Sequence, residues 1–314
     1  PFCPHGSEHP TQLCTSATMQ TARPSPPTPD ECTQALHPTI SANPNLSRAQ
    51  CDAAVLARLN HEQGKAFLIA DSTGCGKGRE GVSILLNNMA KDAVDVAFYF
   101  STAQLFSDLE RDVRDLGSKR PVFDVREHNG LPKRGIVFVP YSMVAKSQGV
   151  KMTVLDRILR LHKGKPISLV LDECHVIRKT EGSGASMTGQ RFAAFLDEMA
   201  PTARILFMSA TFASNLNDLA LYSKYLGLVG PRQAFETFVE LKSKLDTSSD
   251  AGALELLNAE LVRARSLLQR QLSYEGVTFQ TRRAALTDDF KTMHDAVADL
   301  WGEIIPLPVF RGLE

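Results

Sequence analysis

The sequence predicts an α/β domain of three layers, in which helices cover a parallel sheet, from about residue 45 to residue 230. Two patterns lead to this prediction. Six short apolar runs have the length and composition of strands buried on both faces. Between several of them lie stretches with apolar side chains three and four residues apart, which predict amphipathic helices. Strands that alternate with helices are typical of a parallel sheet with helices packed on its faces.

The individual elements follow in chain order from these patterns. The six predicted strands are residues 66–70, 96–100, 121–125, 136–139, 167–171 and 205–208. The three clearest helical periods fall within residues 82–89, 106–116 and 192–199. After residue 230 the strand-like runs stop, and two long helices are predicted at residues 251–272 and 284–301. We therefore expect residues 231–314 to form a mainly helical extension.

Composition restricts the class of protein. The 35 basic and 35 acidic side chains give a formal net charge of zero, which excludes a histone-like protein but permits a local basic surface. Residues 1–44 contain nine of the seventeen prolines, so this segment is predicted to be a disordered tail. No apolar run approaches the ~20 residues of a membrane span. We therefore expect no membrane partner, and six cysteines without paired spacing favour an intracellular protein.

The most informative segment is AFLIADSTGCGKGREG, residues 66–81, in which a predicted strand is followed by a glycine-rich turn and a helix. Gly74 and Gly76 allow backbone N–H groups to approach phosphate oxygens, and Lys77 can reach the β- and γ-phosphates of a nucleotide. The segment therefore predicts a phosphate loop. Its candidate nucleotide contacts are Asp71, Ser72, Thr73, Gly74, Cys75, Gly76, Lys77, Gly78 and Arg79.

Two positions depart from the usual phosphate-loop pattern. Asp71 lies six residues before Lys77, where that pattern has glycine, and Gly78 follows the lysine, where it has Ser or Thr. The second departure removes a hydroxyl that contacts Mg²⁺. We expect Asp172 and water to supply more of the six oxygen ligands that this ion requires.

An acidic pair follows in LVLDECH, residues 169–175. Ligands of α/β sheets bind at the carboxyl ends of strands, where Asp172 and Glu173 are expected to lie. Asp172 is predicted to hold Mg²⁺, and Glu173 to orient and deprotonate an attacking water. Because an acidic pair after a strand is also common as a solvated turn or helix cap, this assignment depends on the phosphate loop.

A third strand is predicted to end at Ser209-Ala210-Thr211. The hydroxyls of Ser209 and Thr211 can hydrogen-bond the acidic pair and respond to the γ-phosphate, and His175 can relay between the nucleotide and this strand. Ser and Thr also cap helices, and the two roles are compatible.

The ordered motifs D-x-x-G-x-G-K, DECH and SAT resemble the first RecA-like lobe of superfamily 2 helicases. The closer match is to the strawberry notch family, whose phosphate loop likewise reads GKGR. Leu46-Ser47 with Gln50 is similar to the Q-type motif of these proteins. Other similar segments are residues 101–117, 135–144, 209–230 and 270–279.

The resemblance implies a RecA-like P-loop NTPase domain of helicase type that binds ATP with Mg²⁺, hydrolyses ATP and acts on nucleic acid. The site residues implied are Lys77 for phosphate, Asp172 for Mg²⁺, Glu173 as catalytic base, Gln50 for adenine, and His175, Ser209 and Thr211 for coupling. If the organism is a eukaryote, the resemblance implies a nuclear protein that takes part in transcription regulation. Otherwise it implies a cytoplasmic protein.

Nucleic acid is the expected partner, DNA or RNA, bound without sequence preference. Seven basic residues lie within residues 111–134, where related motors contact the strand backbone. Such phosphate contacts are sequence-independent and salt-sensitive. The alternative for this segment is an ordinary solvated face. The basic residues are Arg111, Arg114, Lys119, Arg120, Arg126, Lys133 and Arg134.

A second RecA-like lobe is the other expected partner, in cis or in trans. Superfamily 2 motors take an arginine finger from that lobe, and no Q-x-x-G-R-x-x-R pattern follows residue 230. Because an arginine finger contributes about 10³–10⁵ in rate, we expect this chain alone to bind ATP but to hydrolyse it slowly.

Two other functions stay open from the sequence. The first is a nucleotide-gated scaffold that binds ATP and recruits partners with little turnover, which Gly78 and the absent second lobe favour. The second is a P-loop kinase or transferase. The acidic pair and the SAT strand argue against the transferase, because transfer to a small molecule needs no hydrolytic base.

Overall fold

This computed structural model describes residues 3–8, 13–128, 130–144, 152–178, 186–245, 250–273, 275, 277–278, 280–282 and 285–304. The strands and helices named below lie within them. The strands are β1 (Leu13–Thr15), β2 (Phe67–Ile69), β3 (Val96–Ser101), β4 (Val122–Asp124), β5 (Gly135–Pro140), β6 (Ile167–Asp172), β7 (Ala203–Met208), β8 (Leu267–Leu268) and β9 (Arg270–Leu272). The helices are α1 (Ala17–Ala22), α2 (Pro29–Ala35), α3 (Pro38–Ser41), α4 (Arg48–Glu62), α5 (Lys77–Lys91), α6 (Phe106–Asp115), α7 (Val154–His162), α8 (Met187–Met199), α9 (Ala220–Tyr225), α10 (Phe238–Lys244), α11 (Asp250–Arg263) and α12 (Asp288–Ile304).

Seven strands form one parallel sheet in the order β4-β5-β3-β6-β7-β2-β8. All six predicted strands belong to it, and the predicted α/β fold is confirmed. Because every strand runs in the same direction, their carboxyl ends meet at one edge of the sheet. The residues brought to this edge include Asp71 after β2, Ser101 in β3, Asp172 in β6 and Ser209 after β7.

The helix that follows the phosphate loop packs closely on the sheet. A Cβ atom on Gly81 of α5 would lie 2.6 Å from the side chain of Met208, so only glycine allows this approach without a shift. The predicted apolar face of α5 is buried at Val82 and Leu85. Elsewhere, Phe100 of β3 meets Phe192 of α8 edge to face, with ring centroids 5.0 Å apart. The close approach at Gly81 holds the first turns of α5 directly against β7.

The predicted disorder of residues 1–44 is wrong for the described part of that segment. It contains β1 and helices α1, α2 and α3, and it buries Cys32 and Ile40. Pro29 and Pro38 lie at the first positions of α2 and α3. A proline is tolerated there because the first N–H groups of a helix have no intrahelical partner. These two prolines therefore mark helix starts rather than disorder.

The expectation that strands end at residue 230 is also wrong. Helix α11 ends at Arg263, and the next residues enter strands, with β8 beside β2 in the main sheet and β9 antiparallel to β1. Arg265 has a φ of 60°, a left-handed conformation that ends the helical path. The first compact unit accordingly extends over Pro1–Ser273, and the second is Tyr274–Glu314.

The second unit is described by helix α12, close to the predicted helix at 284–301. Its exposed apolar side chains are Phe290, Met293, Val297, Leu300 and Trp301. Among the described helices of the whole chain, none has the length and apolar content needed to cross a membrane.

Candidate nucleotide site

A cleft of about 870 Å³ opens at the carboxyl edge of the sheet. Lys77 from α5 lines it together with Asp172 and Glu173 at the end of β6. Lys77 and the acidic pair that begins 95 residues after it therefore share one cavity. The other predicted nucleotide contacts that line the cleft are Gln50, Thr73, Gly74, Gly76, Gly78 and Arg79.

The phosphate loop has the backbone conformation that its glycines predict. Gly74 and Gly76 have φ values of 90° and 87°, in the left-handed region that favours glycine. Gly76 is the N-cap of α5, and no side chain caps this helix. The first N–H groups of α5 therefore remain for an anion at the helix N-terminus.

The ammonium group of Lys77 is held over the same loop. Its Nζ donates to the carbonyl oxygens of Asp71, at 2.7 Å, and Ser72, at 3.1 Å. An ammonium has three donors, so one remains for a phosphate oxygen. Ser72 contributes through its backbone and does not line the cleft.

The structure does not bring the side chain of Asp71, a predicted nucleotide contact, into the cleft. Asp71 is fully buried, and its carboxylate accepts hydrogen bonds from Arg270, at 2.7 Å from the backbone N and 2.9 Å from Nε. Cys75 is likewise buried, and its Sγ lies 3.8 Å from the carbonyl oxygen of Arg270. The side chains of Asp71 and Cys75 therefore connect the phosphate loop to Arg270.

Arg270 joins four parts of the site, and the sequence did not single it out. Besides Asp71, its guanidinium contacts Glu80 in the first turn of α5 and donates to the carbonyl oxygen of Ala49, at 2.6 Å. Its own carbonyl accepts from the N–H of Ser72 at 2.8 Å. The only signal was an arginine in RQLSYEGVTF, a segment far along the chain.

The pKa of Glu80 is raised to about 8, mainly by burial and also by the charge of Asp71, against the lowering effect of Arg270. One guanidinium cannot neutralise two buried carboxylates. Asp71 accepts more hydrogen bonds from Arg270 than Glu80 does, so Glu80 is the acid that keeps its proton at neutral pH. Its Oε2 has no hydrogen-bond partner among the described residues.

Asp172 is oriented by a shell of donors. Its Oδ2 accepts hydrogen bonds from the hydroxyls of Tyr99, at 3.1 Å, and Ser101, at 3.0 Å, and its Oδ1 accepts from the N–H of Glu173 at 3.0 Å. Burial, and then the charge of Glu173, raise the pKa of Asp172 to about 6. The carboxylate is therefore ionised at neutral pH, as a Mg²⁺ ligand must be.

Glu173 has a left-handed backbone, with φ of 51° and ψ of 42°. Such a conformation is uncommon for a residue other than glycine and costs of order 1–3 kcal/mol. Nδ1 of His175 lies 3.1 Å from Oε2 of Glu173 and 3.1 Å from Oγ of Ser209. Ser209 Oγ in turn accepts from the N–H of Thr211 at 3.2 Å. The predicted coupling residues are therefore contiguous.

Gln50 lies between the start of α4 and the phosphate loop. Its side chain accepts from the N–H of Ser47 at 3.0 Å in a capping box, and its Nε2 donates to the carbonyl oxygen of Gly76 at 3.4 Å. This places the amide at the rim of the cleft, where the Q-type motif predicts an adenine contact.

Helix α6 provides an acidic wall to the cleft. Arg79 forms an ion pair with Asp115 at 2.6 Å, and Arg111 forms one with Asp108 at 2.7 Å. Asp112 lies between them, with its Oδ1 3.7 Å from Arg79 and 3.4 Å from Arg111. Both arginines therefore pair with carboxylates of α6.

The basic residues of segment 111–134 do not form one surface. Arg111 lines the nucleotide cleft, whereas Arg126 is paired with Asp124. Lys119, Arg120 and Arg134 line a different cavity of about 470 Å³ that includes Gly135, the first residue of β5. That cavity lies at the amino ends of the strands, opposite the cleft. A single backbone-binding face made from the whole segment is therefore wrong.

A family model described as "P-loop containing NTP hydrolase pore-1" matches residues 8–296. Among curated proteins, a strawberry notch homolog of Caenorhabditis elegans is 29% identical over 95% of this chain and 17% of its own length. Protein strawberry notch homolog 2 of Mus musculus is 29% identical over 96% of this chain and 22% of its own length. The predicted resemblance is confirmed, and the chain spans about a fifth of these relatives.

Among solved structures, the Sulfolobus solfataricus SWI2/SNF2 ATPase core in complex with dsDNA has a TM-score of 0.52 and 17% identity. The similarity covers 82% of this chain and 53% of that one. The same core domain solved separately gives a TM-score of 0.53 at 15% identity. At this level of identity the likeness establishes the RecA-like fold.

Proposed function

The chain belongs to the P-loop containing NTP hydrolase pore-1 family, and from this premise we propose that it is the ATP-hydrolysing lobe of a helicase-like motor. One observation carries the proposal: Lys77, Asp172 and Glu173 line the same cleft. A phosphate-binding cation, a metal-binding carboxylate and a second carboxylate beside it are the parts that nucleotide hydrolysis requires.

The roles of the side chains follow from their contacts. Lys77 and the N–H groups at the start of α5 bind the β- and γ-phosphates. Asp172, held by Tyr99 and Ser101, would be a ligand of Mg²⁺, and the bound ion would neutralise charge on the phosphates. Glu173 orients the attacking water and accepts its proton. His175 contacts Glu173 and can hold its carboxylate in one orientation.

The contact from Glu173 through His175 to Ser209 supports a coupling role. Ser209 follows β7, and the carbonyl oxygen of Thr211 accepts from Arg178 at 2.8 Å. A change at the γ-phosphate that moves Glu173 therefore has a direct path to the segment after β7. In a motor, such a path links hydrolysis to movement of a second lobe.

We propose nucleic acid as the substrate on which this lobe acts, in part because one protein of the same fold was solved in complex with dsDNA. A second RecA-like lobe, in cis or in trans, would supply an arginine finger. Turnover measured without such a lobe would be slow, since an arginine finger contributes about 10³–10⁵ in rate.

Steady-state ATPase measurements on the wild type and Glu173→Gln, with and without single- and double-stranded nucleic acid, test the proposal. Glu173→Gln should retain ATP affinity and lose at least ~100-fold in hydrolysis, the range typical of a general base. Glu127→Gln, on an exposed turn, is the matched control and should hydrolyse ATP normally.

Three outcomes separate the possible functions. Phosphate release that nucleic acid stimulates supports the motor. ATP binding without release, even after a second lobe is added, supports a scaffold instead. Release that depends on a small acceptor molecule supports a transferase.

A further inference from the structure

The phosphate loop lacks the hydroxyl residue that normally follows its lysine, and a carboxylate lies next to that position. A Cβ atom on Gly78 would be 2.9 Å from Oδ2 of Asp112, on helix α6. Asp112 and Gly78 both line the nucleotide cleft. An acidic oxygen therefore reaches the place where a Ser or Thr side chain would begin.

The two oxygens of Asp112 have different surroundings. Oδ1 lies 3.4 Å from Arg111 and 3.7 Å from Arg79. Oδ2 has no hydrogen-bond donor in the described part of the chain. The residue is only 5% exposed, and its burial raises the pKa of the carboxyl. An oxygen without a donor beside the phosphate loop is available to a cation.

Asp112 shares the nucleotide cleft with Asp172, the predicted metal ligand. The hydroxyl of Tyr99 donates to Oδ2 of Asp172 at 3.1 Å. Two carboxylates from separate elements, α6 and β6, therefore line one cleft.

We propose that Asp112 replaces the missing hydroxyl as a protein oxygen ligand of the Mg²⁺ that accompanies a nucleoside di- or triphosphate. This inference rests on the proposed function. Mg²⁺ in nucleotide sites is held by one or two carboxylates, with phosphate oxygens and waters completing its six ligands. Asp112 and Asp172 supply that number.

The first test measures the dissociation constant of ADP by calorimetry, with Mg²⁺ and with EDTA, and takes the ratio of the two. Asp112→Asn should lower the benefit of Mg²⁺ by about 10–100-fold, the loss typical of a disturbed metal site. Its affinity for metal-free ADP should be unchanged or tighter, because one negative charge is gone. The ratio is taken within one preparation, so a partly unfolded fraction changes the stoichiometry and not the ratio.

Asp108→Asn is the matched control, since Asp108 lies on the same helix, lines the same cleft and pairs with Arg111. Its ratio should stay within about twofold of the wild type. A role of Asp112 limited to fixing Arg111 predicts equal effects for both variants.

A rescue experiment gives the second test. The double variant Gly78→Ser/Asp112→Ala restores the usual hydroxyl and removes the clashing carboxylate. It should regain most of the Mg²⁺ benefit that Asp112→Ala alone loses. A merely structural role of Asp112 predicts no recovery.

The inference is overturned if Asp112→Asn keeps the wild-type ratio, or if the double variant is as insensitive to Mg²⁺ as Asp112→Ala. Failure of the wild type to bind ADP at all would instead overturn the proposed function, on which this inference depends. Loss of binding on Lys77→Ala, with a normal ratio in Asp112→Asn, would retain the function and reject the inference.

Discussion

Replacing Glu80 by Gln should change how the free energy of unfolding depends on pH. Glu80 is fully buried beneath the loop and shares Arg270 with Asp71. Its pKa is raised from 4.5 to about 8, first by burial. Gln keeps the shape and the acceptor that faces Arg270 but has no proton to release.

The sign of the effect follows from proton binding. Between pH 4.5 and 8 the unfolded chain has released the proton of Glu80, whereas the folded chain retains it. The free energy of unfolding of the wild type therefore falls relative to the Gln variant as the pH rises. One pKa unit corresponds to ~1.4 kcal/mol. The full difference, reached above pH 8, is of order 5 kcal/mol in favour of the Gln variant.

The assay is urea unfolding followed by circular dichroism, at half-unit steps from pH 4.5 to 9. The quantity of interest is the difference in free energy of unfolding between variant and wild type, so that all other titrating groups cancel. It should be near zero at pH 4.5, rise by up to ~1.4 kcal/mol per pH unit and level off above pH 8.

Glu31→Gln is a control of opposite sign. The hydrogen bond from Arg265 is the largest influence on Glu31 and lowers its pKa below 4.5. Its stabilising effect is present above pH 4.5 and is lost as the pH falls through the folded-state pKa, so this variant should be the weaker one at neutral pH. If Glu80→Gln instead behaved like Glu31→Gln, Glu80 would be ionised beside Arg270, and the assignment of the proton would be wrong.

Three further predictions concern the cleft. Gly76→Ala should weaken ADP binding by about tenfold or more, because its φ is 87° and the new Cβ would lie 2.7 Å from Gln50; Gly64→Ala, with φ of 71° and open space, should leave binding unchanged in the same calorimetric titration. His175→Ala should reduce the turnover number for ATP by about tenfold while the dissociation constant stays within about twofold, and an equal loss in both would contradict its positioning role. Cys75, whose pKa burial raises to about 11, should resist iodoacetamide at pH 8 long after half-exposed Cys14 is alkylated, as mass spectrometry would show.

Much of the site was predictable because its parts are local. The strand, turn and helix of the phosphate loop occupy consecutive residues, and the alternation of strands and helices requires the carboxyl ends to meet. Lys77 and the pair Asp172 and Glu173 could therefore be assigned to one edge from their positions in chain order. The same reasoning assigned Ser209 to the end of the neighbouring strand.

Other parts have no local signal. Arg270 bonds Asp71 across 199 residues of sequence, and a short strand brings it there only because β8 extends the sheet beside β2. Two apolar residues in β8 are too few to distinguish a strand from a helix end. The folded segment before residue 44 also lacks a local signal, because its three short helices are stable only when packed on the rest of the first unit.

By itself, the sequence determined the parallel α/β sheet, the phosphate loop and the edge at which the acidic pair lies, because periodicity and glycine placement act over a few residues. The tertiary structure alone decided that Asp71 supports the loop rather than the nucleotide, and that Asp112 faces Gly78. Those pairings depend on how helix α6 and strand β9 pack against the loop. Packing of distant segments is settled by the whole core and not by the residues that finally touch.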